Sequence, residues 1–289
     1  MSHTVRGANV LVTGAASGMG LLYARKAVAE HAQSVTLWDR DESGLAAAVA
    51  TLERDVNDAV ILGRRSSGSS SVTDIRFTVV DLTDLDQIEA AASEALAHSV
   101  PDVLINNAGI VAGNSYFWHT DTRSQTVPTM QINTLAPMHI TRQFLPAMIA
   151  DGSRAKRILN VASAAATVSN PRMSVYAASK WALFAWGDSV RLELAKARHD
   201  HVRVTTFCPS YVSTGMFDGA KGMLLTPIIT PAHAVDRAWR AMLAGKPVQF
   251  TPWAVNVAKV LRGVLPVRLW DRVASRMGVY SSMNEFRGR

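Results

Sequence analysis

Residues 13–20 read Thr-Gly-Ala-Ala-Ser-Gly-Met-Gly, directly after the apolar run Val10-Leu11-Val12 and directly before a segment of helical period from Leu21 to His31. No other feature restricts the fold as much. Glycines between a strand and a helix let the backbone turn sharply, approach a bound anion and pack the helix against the sheet, while the helix N-terminus offers free N–H groups and a positive dipole end. In that setting Gly14, Ser17, Gly18, Met19 and Gly20 make a cradle for a dinucleotide pyrophosphate.

The rest of the chain repeats the alternation. Val35-Thr36-Leu37-Trp38, Phe77-Thr78-Val79-Val80, Val103-Leu104-Ile105, Ile158-Leu159-Asn160-Val161 and Val202 to Phe207 read as buried strands. Their apolar continuity suits a parallel sheet covered on both faces. Between them lie helical stretches at Leu45 to Asp55, Leu85 to Ala97, Val127 to Ile149 and Tyr176 to His199. This rhythm predicts an α/β fold with one doubly wound parallel sheet, a Rossmann fold. The Ser/Gly-rich stretch 63–74 reads as a surface loop.

Several polar residues fall at strand ends, where open α/β sheets bind ligands. Asp39 ends the second strand about 20 residues beyond the glycine loop, where a carboxylate accepts from both hydroxyls of an adenosine ribose. It repels a 2′-phosphate, so NAD is favoured over NADP, with Arg40 partly offsetting the repulsion; the bland alternative is a helix cap. Asp81-Leu82 ends the third strand and Asn106-Asn107-Ala108-Gly109 the fourth, the latter also a turn sequence by composition alone. Ser163 follows the fifth strand, and Tyr176 and Lys180 share one helix face four residues apart. A Lys ammonium beside a phenol favours the phenolate and lowers its pKa from about 10. Tyr176 can then exchange a proton with a substrate oxygen that Ser163 holds. Taken singly, each of these residues has an ordinary structural explanation; together they describe a catalytic set.

At this point the chain resembles the short-chain dehydrogenase/reductase family, over roughly its first 215 residues. Thr13 to Gly20 is similar to its Thr-Gly-x-x-x-Gly-x-Gly signature, Asn106 to Gly109 to its Asn-Asn-Ala-Gly, and Tyr176 to Lys180 to its Tyr-x-x-x-Lys. Ser163 and Asn133 stand where the family keeps a catalytic Ser and Asn. The resemblance implies that Tyr176 is the general acid/base, that Lys180 lowers its pKa and binds the nicotinamide ribose, that Ser163 orients substrate, and that Asn133 supports a water-linked relay to Lys180. It also implies cofactor contacts from Asp39, Asp81, Leu82, Asn107, Gly109, Val212 and Thr214. The family's Pro-Gly after the sixth strand is here Pro209-Ser210, a departure beside the carboxamide positions. No metal is expected. The expected activity is NAD-dependent interconversion of a hydrophobic, secondary alcohol and its ketone; the alternative is an inactive dinucleotide-binding regulator or scaffold. A homotetramer or homodimer through the two long helices is implied.

Substrate should lie between Ala164–Ser174, with Val168 and Met173, and Gly215–Thr226, with Met216, Phe217, Met223 and Leu224. Arg172 and Lys221 are the nearby cations and are expected to face solvent. One cysteine, Cys208, excludes an internal disulfide framework. With a polar Met1 to Gly7 and no long apolar run, a cytoplasmic location is expected. Residues 1–250 are read as the nucleotide-binding catalytic domain and 251–289 as an extension packed on it. The net charge is +7, and residues 246–289 hold eight basic against two acidic side chains, which accounts for +6 of it. In this tail Pro266 opens a helix to about Met277, with Arg268, Arg272 and Arg276 on one face and Leu269, Trp270, Val273 and Met277 on another. A similar segment precedes it, with Trp253, Val257, Val260, Leu261 and Val264. The tail caps the substrate site or a subunit contact, lies on an anionic membrane surface, or is a solvated appendage. Packing against protein is favoured, because Gly263 and Pro266 divide the apolar surface; nucleic-acid binding lacks a recognisable module.

Overall fold

The computed structural model describes residues 4–61, 72–222 and 226–286. Residues 63–71 of the Ser/Gly-rich stretch, Met223, Leu224, Arg287 and Arg289 lie outside the described residues. Seven parallel strands form one sheet in the order β3-β2-β1-β4-β5-β6-β7: β1 Asn9–Thr13, β2 Ser34–Asp39, β3 Asp74–Val79, β4 Val103–Asn106, β5 Lys156–Val161, β6 Val202–Pro209 and β7 Val248–Thr251. The helices are α1 Gly18–Ala29, α2 Glu42–Ile61, α3 Leu85–His98, α4 Val127–Met130, α5 Ala136–Ala150, α6 Ser174–Lys196, α7 Pro231–Leu243, α8 Ala254–Val264 and α9 Val267–Arg276. This is the doubly wound Rossmann arrangement that the alternation predicts.

The chain reverses its direction of travel across the sheet between β1 and β4, and that reversal opens a crevice at the strands' carboxyl ends. Val10 pairs with Val103 and Val12 with Ile105, a register that sets Thr13-Gly14 beside Asn106-Asn107. One core packs Val12, Tyr23, Leu37, Phe207 and Trp239 on one face of the sheet. The other packs Leu104, Ile140, Phe144, Ile158 and Val204 on the opposite face.

Four expectations need correction. β3 is not buried: it is the sheet's edge, and Phe77 and Val79 are 44% and 43% exposed. The segment from Val127 to Ile149 is not one regular helix, because a wide turn at Gln131–Leu135 interrupts it and another at Thr122–Thr126 precedes it. The six-strand reading omits β7 and, with it, α7. In the tail, Pro266 is the N-cap of α9 and not its first residue, and the buried stripe is Trp270 and Ala274, with Leu269 exposed.

Candidate active site

The crevice between β1 and β4 is a cleft of about 320 Å³, large enough for an extended ligand. Thr13 and Asn107 tie its two sides together. The Thr13 hydroxyl accepts from the N–H groups of Asn107 and Ala108, both at 3.1 Å, and Asn107 Nδ2 donates to the Thr13 and Gly14 carbonyls at 3.0 and 3.2 Å. Gly14 sits at φ +64°, and a Cβ there would lie 2.9 Å from Ala108 Cα. A Cβ on Gly20 would lie 1.9 Å from the Gly14 carbonyl oxygen, so only glycine lets α1 sit this close to the loop. Ser17 caps α1 with extended backbone and no side-chain hydrogen bond, leaving the helix N-terminus available to an anion.

Of the residues expected to touch a cofactor, Gly14, Ser17, Gly18 and Met19 line one end of the cleft, and Asp39, Asp81 and Leu82 the adjoining wall. Asn107, Gly109 and Thr214 line the other end. Gly20 acts behind the wall through packing. Val212 is buried and bridges to Ile229 rather than facing the cleft. The Asp39 carboxylate accepts from Ala16 N at 3.0 Å and Asp41 N at 3.2 Å, which fixes it at the rim with Arg40 beside it. Asp81 accepts both the N–H and the hydroxyl of Thr83, at 2.9 and 2.8 Å. These features fit a dinucleotide: an uncapped helix end for phosphates, a glycine-cleared backbone, and a fixed carboxylate at the end of β2.

The catalytic candidates converge at the cleft's inner end. Asn133, fully buried in the wide turn 131–135, accepts from Ile110 N at 2.8 Å and donates to Ile110 O at 2.9 Å and to Ser179 Oγ at 3.1 Å. Lys180 Nζ donates to Val161 O at 3.1 Å. Both Asn133 Oδ1 and Lys180 Nζ lie 3.2 Å from the position a Cβ on Gly109 would take, so they meet against the cleft wall. Ser163 caps the short turn Ala164–Ala166 by accepting from Ala165 N at 3.1 Å. Tyr176, near the start of α6, is buried edge-to-face on Phe217.

The expected pKa relation does not hold for the chain by itself. Burial pushes the Tyr176 phenol well above its usual value, and the neighbouring Ser163 hydroxyl opposes that push. Lys180 Nζ stands 5.8 Å from the Tyr176 ring centre, and burial lowers its own pKa to about 8. Desolvation outweighs the charge–phenol attraction when both groups are buried and the ammonium is turned to a carbonyl.

A second, apolar cavity of about 80 Å³ adjoins Ser163 and Tyr176. Val168, Met173 and Phe217 line it as expected, whereas Met216 lines the cofactor cleft. Sequence reasoning missed Tyr211 and the tail residues Val255, Ala258, Val279 and Ser282 in its walls. The tail is strapped across this cavity. Ser282 Oγ bonds the Tyr211 hydroxyl at 2.8 Å, Lys221 N donates to Ser282 O at 2.9 Å, and Asn114 Nδ2 donates to Met283 O at 2.7 Å. Met283 is buried against Met173 and Tyr176. Part of the basic excess also serves packing: Lys259 lies over Phe184 and Phe250 at 5.7 and 5.2 Å, and Arg262 over Trp181 at 5.1 Å. Lys221 is exposed and paired with Glu285. Arg172, expected in solvent, is half-buried over the Tyr116 ring at 5.2 Å. Ser210 extends the sheet by donating to Thr251 O at 2.8 Å, which accommodates the departure from Pro-Gly.

A family model described as short chain dehydrogenase matches residues 8–223. The chain belongs to the short-chain dehydrogenase family. With membership comes the coarse activity, that of an oxidoreductase using a nicotinamide dinucleotide and acting on CH–OH groups. Among similar members, epidermal retinol dehydrogenase 2 of Mus musculus is 28% identical over 99% of this chain and 87% of its own length. Estradiol 17-beta-dehydrogenase 11 of Homo sapiens is 31% identical over 92% of this chain and 81% of its own. A short chain dehydrogenase from Burkholderia cenocepacia in complex with NADP superposes with TM-score 0.72 at 23% identity, covering 95% of this chain and 98% of its own. One from Burkholderia phymatum in complex with NAD gives 0.74 at 24%, covering 91% and 95%. These two share the family fold and carry different cofactors.

Proposed function

We propose that this short-chain dehydrogenase interconverts a hydrophobic secondary alcohol and its ketone with NAD in preference to NADP, Tyr176 acting as general acid/base. The observation that carries the reading is the placement of the Ser163 and Tyr176 hydroxyls in the wall of the apolar cavity while Lys180, one helical turn on, abuts the cofactor cleft at Gly109. A bound nicotinamide supplies the hydride acceptor or donor. Ser163 and Tyr176 hold the reacting oxygen by hydrogen bonds, and Tyr176 takes or returns its proton at the phenolic oxygen. Lys180, charged below its lowered pKa, orients the ribose and lowers the cost of the phenolate once the cleft is filled. Asn133 holds the backbone at Ile110 and supports the proton path to Lys180. Gly14, Ser17, Gly18 and Met19 serve the pyrophosphate with Gly20 packing behind them, Asp39 the adenosine ribose, Asp81 and Leu82 the adenine side, and Asn107, Gly109 and Thr214 the nicotinamide half. The relatives named for retinol and estradiol support a lipophilic alcohol.

Residues 1–250 then form the catalytic domain, and the tail completes its substrate side. Trp253, the N-cap of α8, and Val257, Val260 and Val264 along the helix follow helical spacing on an exposed face, Val264 being 75% exposed, with Val267 next and Arg268, Arg272 and Arg276 exposed beyond. No helix of the described residues is long and apolar enough to cross a membrane. This basic, apolar face supports peripheral attachment of a cytoplasmic enzyme to an anionic bilayer, and α5 and α6 offer the surface for a homodimer or homotetramer. Secondary alcohols and hydroxysteroids assayed with NAD and NADP in parallel test the activity: turnover with NAD preferred is expected, and an NADP preference overturns the role of Asp39. Co-sedimentation with anionic but not neutral vesicles at low salt is expected of the tail, and no retention on either defeats that attachment.

A further inference from the structure

The apolar cavity contains two hydroxyls that the proposed reaction leaves unused. Ser210, directly after β6, and Thr226, at the far end of the following segment, are 7% and 6% exposed and both line the cavity. Neither side-chain oxygen has a hydrogen-bond partner. A buried hydroxyl without a partner is costly, and two beside one another's cavity ask for a reason. The other polar groups around the same space are engaged, Asn170 among them through the Tyr211 hydroxyl. Ser163 and Tyr176 take the reacting oxygen, while the Tyr211 hydroxyl is bonded to Ser282, whose own hydroxyl donates to Val279 O at 2.8 Å. The cofactor does not account for the pair either. On this side the dinucleotide cleft is walled by Thr214 and Met216, and neither Ser210 nor Thr226 borders it. The Ser210 backbone N–H is used on Thr251, so the orphan is the side chain alone.

We propose that Ser210 and Thr226 form a second polar anchor in the substrate cavity, and that the physiological substrate is a lipophilic alcohol or ketone carrying another hydrogen-bonding oxygen apart from the one that reacts. The inference rests on the cavity being the alcohol site and narrows its substrate class. An otherwise apolar wall of Val168, Met173, Phe217, Val255 and Val279 takes the hydrocarbon skeleton. A substrate with a single oxygen satisfies Ser163 and Tyr176 and leaves both orphans unpaired. A substrate with two oxygens pairs an orphan that is unpaired in the free protein as well, so the discrimination between the two classes is the worth of the bond gained.

The test compares estradiol with its 3-deoxy analogue, which share a skeleton and a secondary alcohol and differ in one oxygen. Both kcat/KM with NAD and Kd by tryptophan quenching are measured for the wild type, Ser210→Ala, Thr226→Val and the double variant. The wild type is expected to favour the two-oxygen compound by about tenfold, the worth of one well-made hydrogen bond. Each single variant should lower that ratio through a loss on estradiol, and the double variant should bring it near one. Melting temperatures of the ligand-free variants should equal or exceed the wild type, because an unpaired buried hydroxyl has been removed. Equal handling of the two compounds by the wild type, equal losses on both in the variants, or a clear drop in melting temperature would each overturn the anchor. Turnover of both compounds without preference leaves the dehydrogenase reading standing and removes the anchor. Preferential binding without turnover keeps the anchor and removes the dehydrogenase reading, and failure to bind either compound counts against the anchor.

Discussion

Gly20→Ala sets two physical effects against each other, and the structure decides between them. Gly20 lies in the first turn of α1, where helix propensity alone favours Ala by about 1 kcal/mol. The new Cβ, however, would stand 1.9 Å from the Gly14 carbonyl oxygen, roughly 1.4 Å inside an ordinary carbon–oxygen contact of roughly 3.3 Å. It would also stand 2.8 Å from Asn107 Nδ2, the donor to that same carbonyl. Neither atom is the free end of a flexible chain, so α1 must move off the loop. Overpacking of this kind costs about 1–3 kcal/mol, and losing the Asn107 bond about 1 more. After the propensity gain, the net loss is about 1–3 kcal/mol, or a melting temperature lower by about 2–10 °C. Gly263→Ala is the matched control, since nothing lies within 4 Å of its Cβ position on α8, and propensity should there raise stability. Thermal unfolding of both variants, with NAD affinity by titration, should show Gly20→Ala less stable and weaker for NAD. A Gly20→Ala melting temperature at or above the wild type would refute the close packing of α1 on the glycine loop.

Lys156 is fully buried and pairs with Asp102 at 2.8 Å and with Asp151. Lys156→Met leaves the Asp102 carboxylate buried with the Asn9 N–H at 2.9 Å and, as its one remaining cation among the described residues, Arg154 at 3.6 Å, so unfolding in denaturant should show a loss of about 3 kcal/mol. Asp39→Ser removes the carboxylate at the ribose position and leaves Arg40 in place, so the NADP-to-NAD ratio of Kd values should move about tenfold toward NADP by titration. Lys180 has a folded pKa of about 8, below the ordinary value near 10.5, so between these the unfolded chain binds more protons and the Lys contribution to stability rises with pH. Denaturant midpoints of wild type and Lys180→Met should therefore differ most in the variant's favour below pH 8 and converge as pH rises toward 10.5.

The parts of the molecule legible in the sequence are those governed by local geometry. The glycine loop reads correctly because turn, helix start and strand end are contiguous from Val10 to Gly20. The common helix of Tyr176 and Lys180 is legible because a helix fixes their separation, whereas the effect of burial on the pair is not. Edge position is a non-local property, so Phe77 and Val79 look like core residues until the strand order puts β3 at the margin. The wide turns that sink Asn133 into the interior carry no glycine or proline within Gln131–Leu135 to betray them. β7 is not legible because Gln249 interrupts a four-residue strand whose pairing to β6 is decided by the sheet. The substrate wall was only half legible for the same reason: Ser282 reaches Tyr211 across 71 residues, a contact that no spacing reports. The amphipathic period of the tail did signal that it packs on something, and Trp270 with Ala274 supplies the buried stripe.

The central claim is that Tyr176 exchanges the proton with the substrate oxygen. Its most direct test is the steady-state rate of Tyr176→Phe against wild type on the best secondary alcohol found, with NAD binding measured alongside. The phenyl ring preserves the packing on Phe217 and removes only the hydroxyl, so NAD affinity should persist while kcat falls by about 10²–10⁴-fold. Turnover by Tyr176→Phe at the wild-type rate would contradict the account.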